Sequence, residues 1–199
     1  MTWIATSGIT DPADLALCAG VGVDAVGVVV DYPAPVPWDL SLDEAEVLLV
    51  APPRGPERIV VVGEDPDLAV RAARLLDPDV VHLHADASAE RTERTVGLLH
   101  GHGIRVMRTL RVQASGNDEA AALRSARRLA GTGIDLLMVD LVGPAPAPAA
   151  GQQAPAVAPG LRVARAVRQA VDVPVVLAGG LRPDNVGRAI ELVAPYGST

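Results

Sequence analysis

The stretch VPVVLAGGLRPDNVGRAI, residues 173–190, indicates the fold of this chain more clearly than any other segment. A valine-rich apolar run ends at the glycine pair Gly179-Gly180, and Pro183 follows three residues later. Valine favours extended strands, whereas proline is accepted in the first turn of a helix, where its missing N–H needs no partner. The spacing therefore predicts a strand, a tight turn and a helix that begins at Pro183.

The same glycine pair also indicates a ligand. Backbone N–H groups at the start of a helix can surround a phosphate only where no Cβ atom blocks its approach. We therefore expect Gly179, Gly180 and Leu181 to form a phosphate-binding turn. An ordinary connection between a strand and a helix would use the same residues, so the ligand interpretation depends on the rest of the chain.

Short apolar runs alternate with amphipathic segments along the chain. They predict seven strands, at residues 3–7, 25–30, 59–62, 80–84, 105–112, 136–141 and 173–178. They also predict seven helices, at residues 11–19, 41–50, 66–76, 89–100, 118–130, 161–171 and 183–193. This alternation indicates βαβ units around a parallel sheet, and seven such units come close to an eight-stranded α/β barrel of the TIM type.

An open Rossmann-type sheet is the competing α/β architecture. It requires G-x-G-x-x-G after the first strand, but the turn here reads Ser7-Gly8-Ile9-Thr10. We therefore predict one barrel domain over residues 1–199. Within it, the Pro- and Ala-rich segment GPAPAPAAGQQAPAVAPG, residues 143–160, is predicted to be a flexible loop, either a lid over the barrel mouth or an insertion without a role.

Composition limits the classes of function. The 199 residues carry a formal net charge of −7. All basic residues are arginine, and aromatic residues make up only 2%. This balance argues against a nucleic-acid partner, which needs clustered positive charge, and the absence of lysine excludes Schiff-base lysine chemistry. With a single cysteine, Cys18, no signal sequence and no membrane-spanning run, we expect a cytoplasmic protein without a membrane partner.

Five motifs occur in the order in which one enzyme family carries them. They are Ala5-Thr6-Ser7-Gly8-Ile9-Thr10, Gly22-Val23-Asp24-Ala25-Val26-Gly27-Val28-Val29-Val30, Val81-His82-Leu83-His84-Ala85, Met138-Val139-Asp140, and Gly179-Gly180-Leu181 with Pro183, Asn185 and Val186. Together they resemble the phosphoribosylanthranilate isomerase family, the barrel enzymes of tryptophan biosynthesis. The resemblance covers nearly the whole chain.

The resemblance implies an Amadori rearrangement without a metal or cofactor, which converts an N-(5-phosphoribosyl) aryl amine into a 1-amino-1-deoxyribulose 5-phosphate. The family protonates the ring oxygen with an Asp and removes the C2 proton with a Cys on the first strand. Asp140 matches the acid, and Ser7 stands where the family has its cysteine, so we assign both as catalytic. We place substrate or phosphate contacts at His82, His84 and Arg108.

The chain departs from the family pattern at several positions. A serine hydroxyl at residue 7 is a far more reluctant base than a thiol. The family arginine that binds the anthranilate carboxylate is missing from residues 32–41. An alternative function is a barrel that binds a phosphorylated sugar without the isomerase chemistry. A further hypothesis is another reaction on such a sugar, with Asp140 and either His82 or His84 as the acid/base pair.

The end of the sequence adds one more expectation. The family continues with an eighth strand and a last helix, whereas this sequence ends at Thr199. We expect both elements to be absent, which would leave two parallel strand edges unpaired. A second copy in a homodimer, or another partner, could then supply the strand.

Overall fold

The fold is known from a computed structural model that describes residues 2–49, 55–84, 88–116, 118–143 and 158–199. The strands are β1 (Trp3–Ser7), β2 (Ala25–Val30), β3 (Asp39–Leu40), β4 (Glu57–Val62), β5 (Val80–Leu83), β6 (Arg105–Gln113), β7 (Leu136–Val142), β8 (Val175–Ala178) and β9 (Gly197–Ser198). The helices are α1 (Pro12–Val21), α2 (Leu42–Leu49), α3 (Pro66–Leu76), α4 (Ala89–His100), α5 (Glu119–Ala130), α6 (Pro159–Ala170) and α7 (Val186–Val193). None of the helices in these ranges is long and apolar enough to cross a membrane.

Eight of these strands close into a parallel barrel. Their order around the ring is β1-β2-β4-β5-β6-β7-β8-β9, and β9 pairs again with β1. The short strand β3, which the sequence did not predict, pairs with the end of β2. The closed ring confirms the predicted α/β barrel and rules out the open sheet.

The eighth strand is present, so the expectation that it is absent is wrong. Strand β9 (Gly197–Ser198) pairs with β1 on one side and with β8 on the other. Next to these pairs, the N–H of Trp3 donates to the carbonyl of Tyr196 at 3.1 Å. The N–H of Thr199 donates to the carbonyl of Leu177 at 3.0 Å. A two-residue strand was too short for a pattern of apolar residues to reveal, and α7 is the last helix among the described residues.

The strands are buried on both faces. All six residues of β2 are buried, and they divide between two cores. Ala25 and Val29 belong to the core inside the barrel, whereas Val26 and Val28 pack under the helices. A strand covered on both sides needs a continuous apolar run, which is the pattern that the sequence shows.

Most predicted boundaries are confirmed to within two residues, but α7 begins at Val186 rather than at Pro183. Asn185 explains the difference. Its side-chain oxygen accepts the N–H of Arg182 at 2.7 Å, and its amide nitrogen donates to the carbonyl of Gly180 at 3.0 Å. These bonds hold the residues around Pro183 in a turn that precedes the helix.

The predicted loop at residues 143–160 lies mostly outside the described residues, which omit 144–157. At its end, Pro159 and Gly160 are the first residues of α6. The prediction was therefore wrong for these two residues, because proline is accepted at the first position of a helix. The lid interpretation stays a prediction.

Gly197 tests how tightly the barrel closes. A Cβ atom there would lie 2.6 Å from both the indole ring and the carbonyl oxygen of Trp3. We expect Gly197→Ala to lower the free energy of unfolding by about 1–3 kcal/mol, as overpacking does. Gly187 of α7 is the matched control, because a Cβ atom there meets nothing within 4 Å. Urea denaturation measures both variants, and equal midpoints would contradict tight packing at β9.

Candidate active site

The candidate site is a cavity of about 370 Å³ at the carboxyl ends of the barrel strands. Its polar lining comes from Ser7, His82, His84, Asp140 and Thr199. In α/β barrels this end of the strands carries the active site, and the volume suits a small molecule. The structure thus brings together four of the side chains that the sequence singled out.

Small residues keep this end of the barrel open. Ser7 of β1 and Gly27 of β2 are in register on adjacent strands. A Cβ atom on Gly27 would lie 2.6 Å from the Oγ atom of Ser7. The missing side chain at Gly27 therefore makes the space that the Ser7 hydroxyl occupies at the cavity wall.

Asp140 enters the cavity from β7. Leu136 and Met138 of the same strand belong to the inner core, so the alternation of side chains directs Asp140 inward as well. Gly179, just after β8, lies against this carboxyl group. A Cβ atom on Gly179 would lie 2.6 Å from Oδ1 of Asp140 and would collide with the backbone of Leu141. Its φ of +87° is a second reason for glycine at this position.

His82 forms a buried part of the cavity wall. Its Nε2 atom shares a hydrogen bond of 2.7 Å with Oγ1 of Thr109, and only 3% of the residue is exposed. Burial, and to a lesser extent the nearby His84 and Arg108, together lower the pKa of His82 to about 3. His82 is therefore neutral under ordinary conditions, and Thr109 already occupies one of its ring nitrogens.

His84 lies directly after β5 and is held by Tyr32. The Nδ1 atom of His84 is 2.8 Å from the Tyr32 hydroxyl, and that hydroxyl donates to the backbone carbonyl of His84 at 2.9 Å. Burial lowers the pKa of His84, Arg111 lowers it further, and Asp140 opposes them. Among the described residues, no group of three or more His, Cys, Asp or Glu is arranged to hold a metal ion.

Arg108 points away from the cavity. Its Nη1 atom donates to the carbonyl of Leu83 at 3.0 Å, and its Nε atom lies 3.4 Å from Oγ1 of Thr92 on α4. Arg108 thus fills the layer between β6 and the helices, like Leu110 two residues later. This geometry gives no support to the assignment of Arg108 to substrate binding.

Arg111 occupies the opposite face of β6. Met107 belongs to the inner core and Thr109 contacts His82 inside the barrel, so alternation turns Arg111 towards the mouth. It is exposed and in register with Asp140 on the adjacent strand, but it lies outside the lining of the cavity itself. The sequence analysis assigned Arg108 to the site, whereas the alternation along β6 places Arg111 on the inner face.

Two aromatic side chains line the cavity, and the sequence analysis did not assign them to the site. Tyr32 and Trp38 lie in the segment that follows β2. The other two aromatic residues, Trp3 and Tyr196, pack together elsewhere, with ring centroids 5.9 Å apart. Because the chain has only four aromatic residues, the pair in this short segment was a signal that could have identified it.

Comparison with known families places this site in a specific context. The family model described as N-(5'phosphoribosyl)anthranilate (PRA) isomerase matches residues 7–198. The chain belongs to this family. The PRA isomerase of Haloferax volcanii is 34% identical over 198 residues, which cover 99% of this chain and 81% of the relative. That of Halobacterium salinarum is 32% identical over 197 residues, which cover 98% of this chain and 84% of the relative.

Solved structures of PRA isomerases share the fold. The enzyme from Pyrococcus furiosus matches 100% of this chain and 86% of its own with a TM-score of 0.77 and 20% identity. A PRA isomerase in complex with reduced 1-(o-carboxyphenylamino)-1-deoxyribulose 5-phosphate covers the same shares with a TM-score of 0.74 and 23% identity. At these identities the structures establish the barrel, while the sequence matches establish PRA isomerase family membership.

The buried His82 makes the stability of this member of the PRA isomerase family depend on pH. In the unfolded chain His82 regains its ordinary pKa of 6.5, whereas in the fold it stays neutral down to about pH 3. The contribution of His82 to the free energy of unfolding is therefore fully present above pH 6.5. Below that pH, each unit of acidification lowers the free energy of unfolding by about 1.4 kcal/mol. We expect His82→Gln to remove this part of the slope between about pH 6 and pH 4, as measured by urea denaturation at each pH.

The matched control for this experiment is His102→Gln, which changes an exposed histidine. This control should keep the slope of the unaltered protein. Parallel curves for the unaltered protein and His82→Gln would contradict a buried, neutral His82.

Proposed function

We propose that this chain catalyses the Amadori rearrangement of an N-(5'-phosphoribosyl) aryl amine to a 1-amino-1-deoxyribulose 5-phosphate, with anthranilate as the aryl amine. The observation that carries the proposal is the inward-facing carboxyl group of Asp140, at a strand end and in a cavity with two aromatic side chains. Membership of the PRA isomerase family supplies the reaction class.

Asp140 acts as the general acid in this proposal. Opening of the ribose ring breaks the bond between C1 and the ring oxygen, while the nitrogen lone pair forms a C1=N bond. The ring oxygen then needs a proton, and a positioned carboxyl group can donate it. Gly179 supports this role, because its missing side chain leaves the carboxyl group room at the cavity wall.

The aryl group fits the apolar side of the cavity. Tyr32, Trp38 and Met138 offer flat or flexible apolar surfaces of the kind that bind aromatic ligands. Arg111 lies just beyond the cavity lining, in register with Asp140, and would supply positive charge for an aryl carboxylate. It would take the role of the family arginine that is missing from residues 32–41.

The phosphate fits the turn after β8. Gly179 and Gly180 have φ values of +87° and +64°, and the side chain of Asn185 ties down the carbonyl of Gly180. Within the described residues, no backbone hydrogen bond uses the N–H groups of Gly180 or Leu181. Such N–H groups ahead of a helix are suitable donors to a phosphate.

Ser7 and the assembly of the chain complete the proposal. The Ser7 hydroxyl stands at the position of the family cysteine and would hydrogen-bond to the sugar.

The chain would act in the cytoplasm as a homodimer. Leu17 and Val21 of α1, which are 63% and 69% exposed, support an apolar contact with a second copy. A PRA isomerase from Thermotoga maritima with the same fold is described as dimeric.

Replacement of Asp140 tests the proposed reaction. Turnover of N-(5'-phosphoribosyl)anthranilate can be followed by the change in fluorescence of its aryl amine. We expect the unaltered protein to be active and Asp140→Asn to lower kcat by about 10²–10⁴-fold, the usual contribution of a general acid. Asp135→Asn is the matched control, because Asp135 precedes the same strand at the opposite end of the barrel.

Two outcomes would change this conclusion. If the purified protein binds the reduced product analogue but does not turn over the substrate, the chain is a barrel that binds a phosphorylated sugar without the isomerase chemistry. If Asp140→Asn and Asp135→Asn lower kcat equally, Asp140 is not the acid.

A further inference from the structure

The proposed rearrangement requires a base that the family pattern does not supply here. After the ring opens, a base must take the proton from C2. The electron pair of the C2–H bond then forms a C1=C2 bond, and the π pair of C1=N returns to nitrogen. Ser7, at the position of the family cysteine, has a hydroxyl group that ionises far too rarely for this step without a base of its own.

We propose that the Nε2 atom of His84 is the general base that takes the C2 proton, and this assignment rests on the proposed isomerase function. The product forms when the protonated His84 returns its proton to C1 and the C2 hydroxyl passes its proton to Asp140 as it becomes a ketone, so both groups regain their starting states. Atoms and electrons therefore balance without an oxidant or a cofactor.

The hydrogen bonds of Tyr32 determine which nitrogen of His84 carries the proton. The Tyr32 hydroxyl has a single hydrogen, which it donates to the backbone carbonyl of His84 at 2.9 Å. The 2.8 Å contact with Nδ1 of the same histidine is then a hydrogen bond only if Nδ1 carries a hydrogen. In the reverse arrangement, the hydroxyl and carbonyl oxygens would face each other without a hydrogen between them. The neutral imidazole is therefore protonated at Nδ1 and basic at Nε2.

The basic nitrogen of His84 is available to a ligand. Among the described residues, the hydrogen bonds of this side chain involve Nδ1 alone. His84 is also part of the cavity lining, together with Asp140 and Ser7. In the ring, β5 and β7 are separated only by β6, so an acid and a base approach a bound sugar from two positions of the same mouth.

Burial, together with two nearby arginines, keeps His84 in its basic form. The preceding residue, Leu83, is in register with Arg108 on β6, and Arg108 and Arg111 disfavour the imidazolium. Asp140 on β7 favours the imidazolium. Burial is the largest influence, and together they lower the pKa of His84 below its ordinary value of 6.5. The neutral side chains that face it are Tyr32 and His82, the latter edge-on at 5.4 Å between ring centroids.

His82 is not an equivalent candidate. Its Nε2 atom is occupied by Thr109, and the side chain is almost fully buried. His82 instead packs beside His84 and limits the positions that the second ring can adopt. The two histidines therefore differ in role although they lie two residues apart on one face of the strand.

Four variants test the assignment of the base. We expect His84→Gln to lower kcat by about 10²-fold or more with a smaller change in KM, and added imidazole to restore part of the rate to His84→Ala. Ser7→Ala should stay within about tenfold of the unaltered protein, because it loses one hydrogen bond to the sugar. Ser7→Cys should bring no large gain, since the base is already present.

The pH dependence and the tautomer supply two further readouts. In the unaltered protein, kcat/KM should fall as the pH drops through the lowered pKa of His84, and this acidic limb should be missing in His84→Gln. Nitrogen-15 NMR of the unaltered protein should show Nδ1–H at His84. In Tyr32→Phe the tautomer should be mixed and kcat reduced.

The outcomes separate this proposal from the proposed function. An inactive unaltered protein would overturn the isomerase function itself. An active protein in which His84→Gln keeps its rate, or in which Ser7→Cys raises kcat by about 10²-fold or more, would overturn only the assignment of the base. Nε2–H at His84 in the NMR spectrum would also overturn it, even if the substituted variants fail to fold.

Discussion

Closure of the barrel by two residues is the constraint on which the rest of the structure depends. Strand β9 uses its backbone to pair with both β1 and β8, so the strands form a ring rather than a flat sheet. In a ring, all carboxyl ends of the strands meet at one mouth. Ser7 of the first strand and Asp140 of the seventh in sequence therefore share a cavity although 133 residues separate them.

Within that ring, side-chain alternation separates groups that look equivalent in the sequence. Arg108 and Arg111 lie three residues apart on β6, so they occupy opposite faces of the strand. Arg108 joins the layer under α4, and Arg111 faces the mouth. A shift of β6 by one residue would exchange the faces of these two arginines, and the same shift of β7 would remove Asp140 from the cavity.

A residue of one loop determines which nitrogen of His84 is basic. Tyr32 belongs to the segment after β2, yet its hydroxyl contacts both the backbone and the ring of His84. This contact sets the tautomer of a side chain that β5 merely positions. The same segment places Trp38 beside Gly8, where an added Cβ atom would lie 3.3 Å from the indole ring, so one connection shapes both the apolar wall and the polar wall of the cavity.

The sequence by itself determined the barrel and most element boundaries, because apolar periodicity and glycine turns act over a few neighbouring residues. The resemblance of its motifs to one enzyme family drew attention to Ser7 and Asp140, which the structure places in one cavity. The sequence did not reveal β9, since two residues carry no periodicity, or the turn at Pro183, since a side-chain bond from Asn185 delays the helix. Only the tertiary structure decided which arginine faces the mouth and how Tyr32 holds His84. These features depend on strand register and on contacts across 52 residues of sequence, which no local pattern encodes.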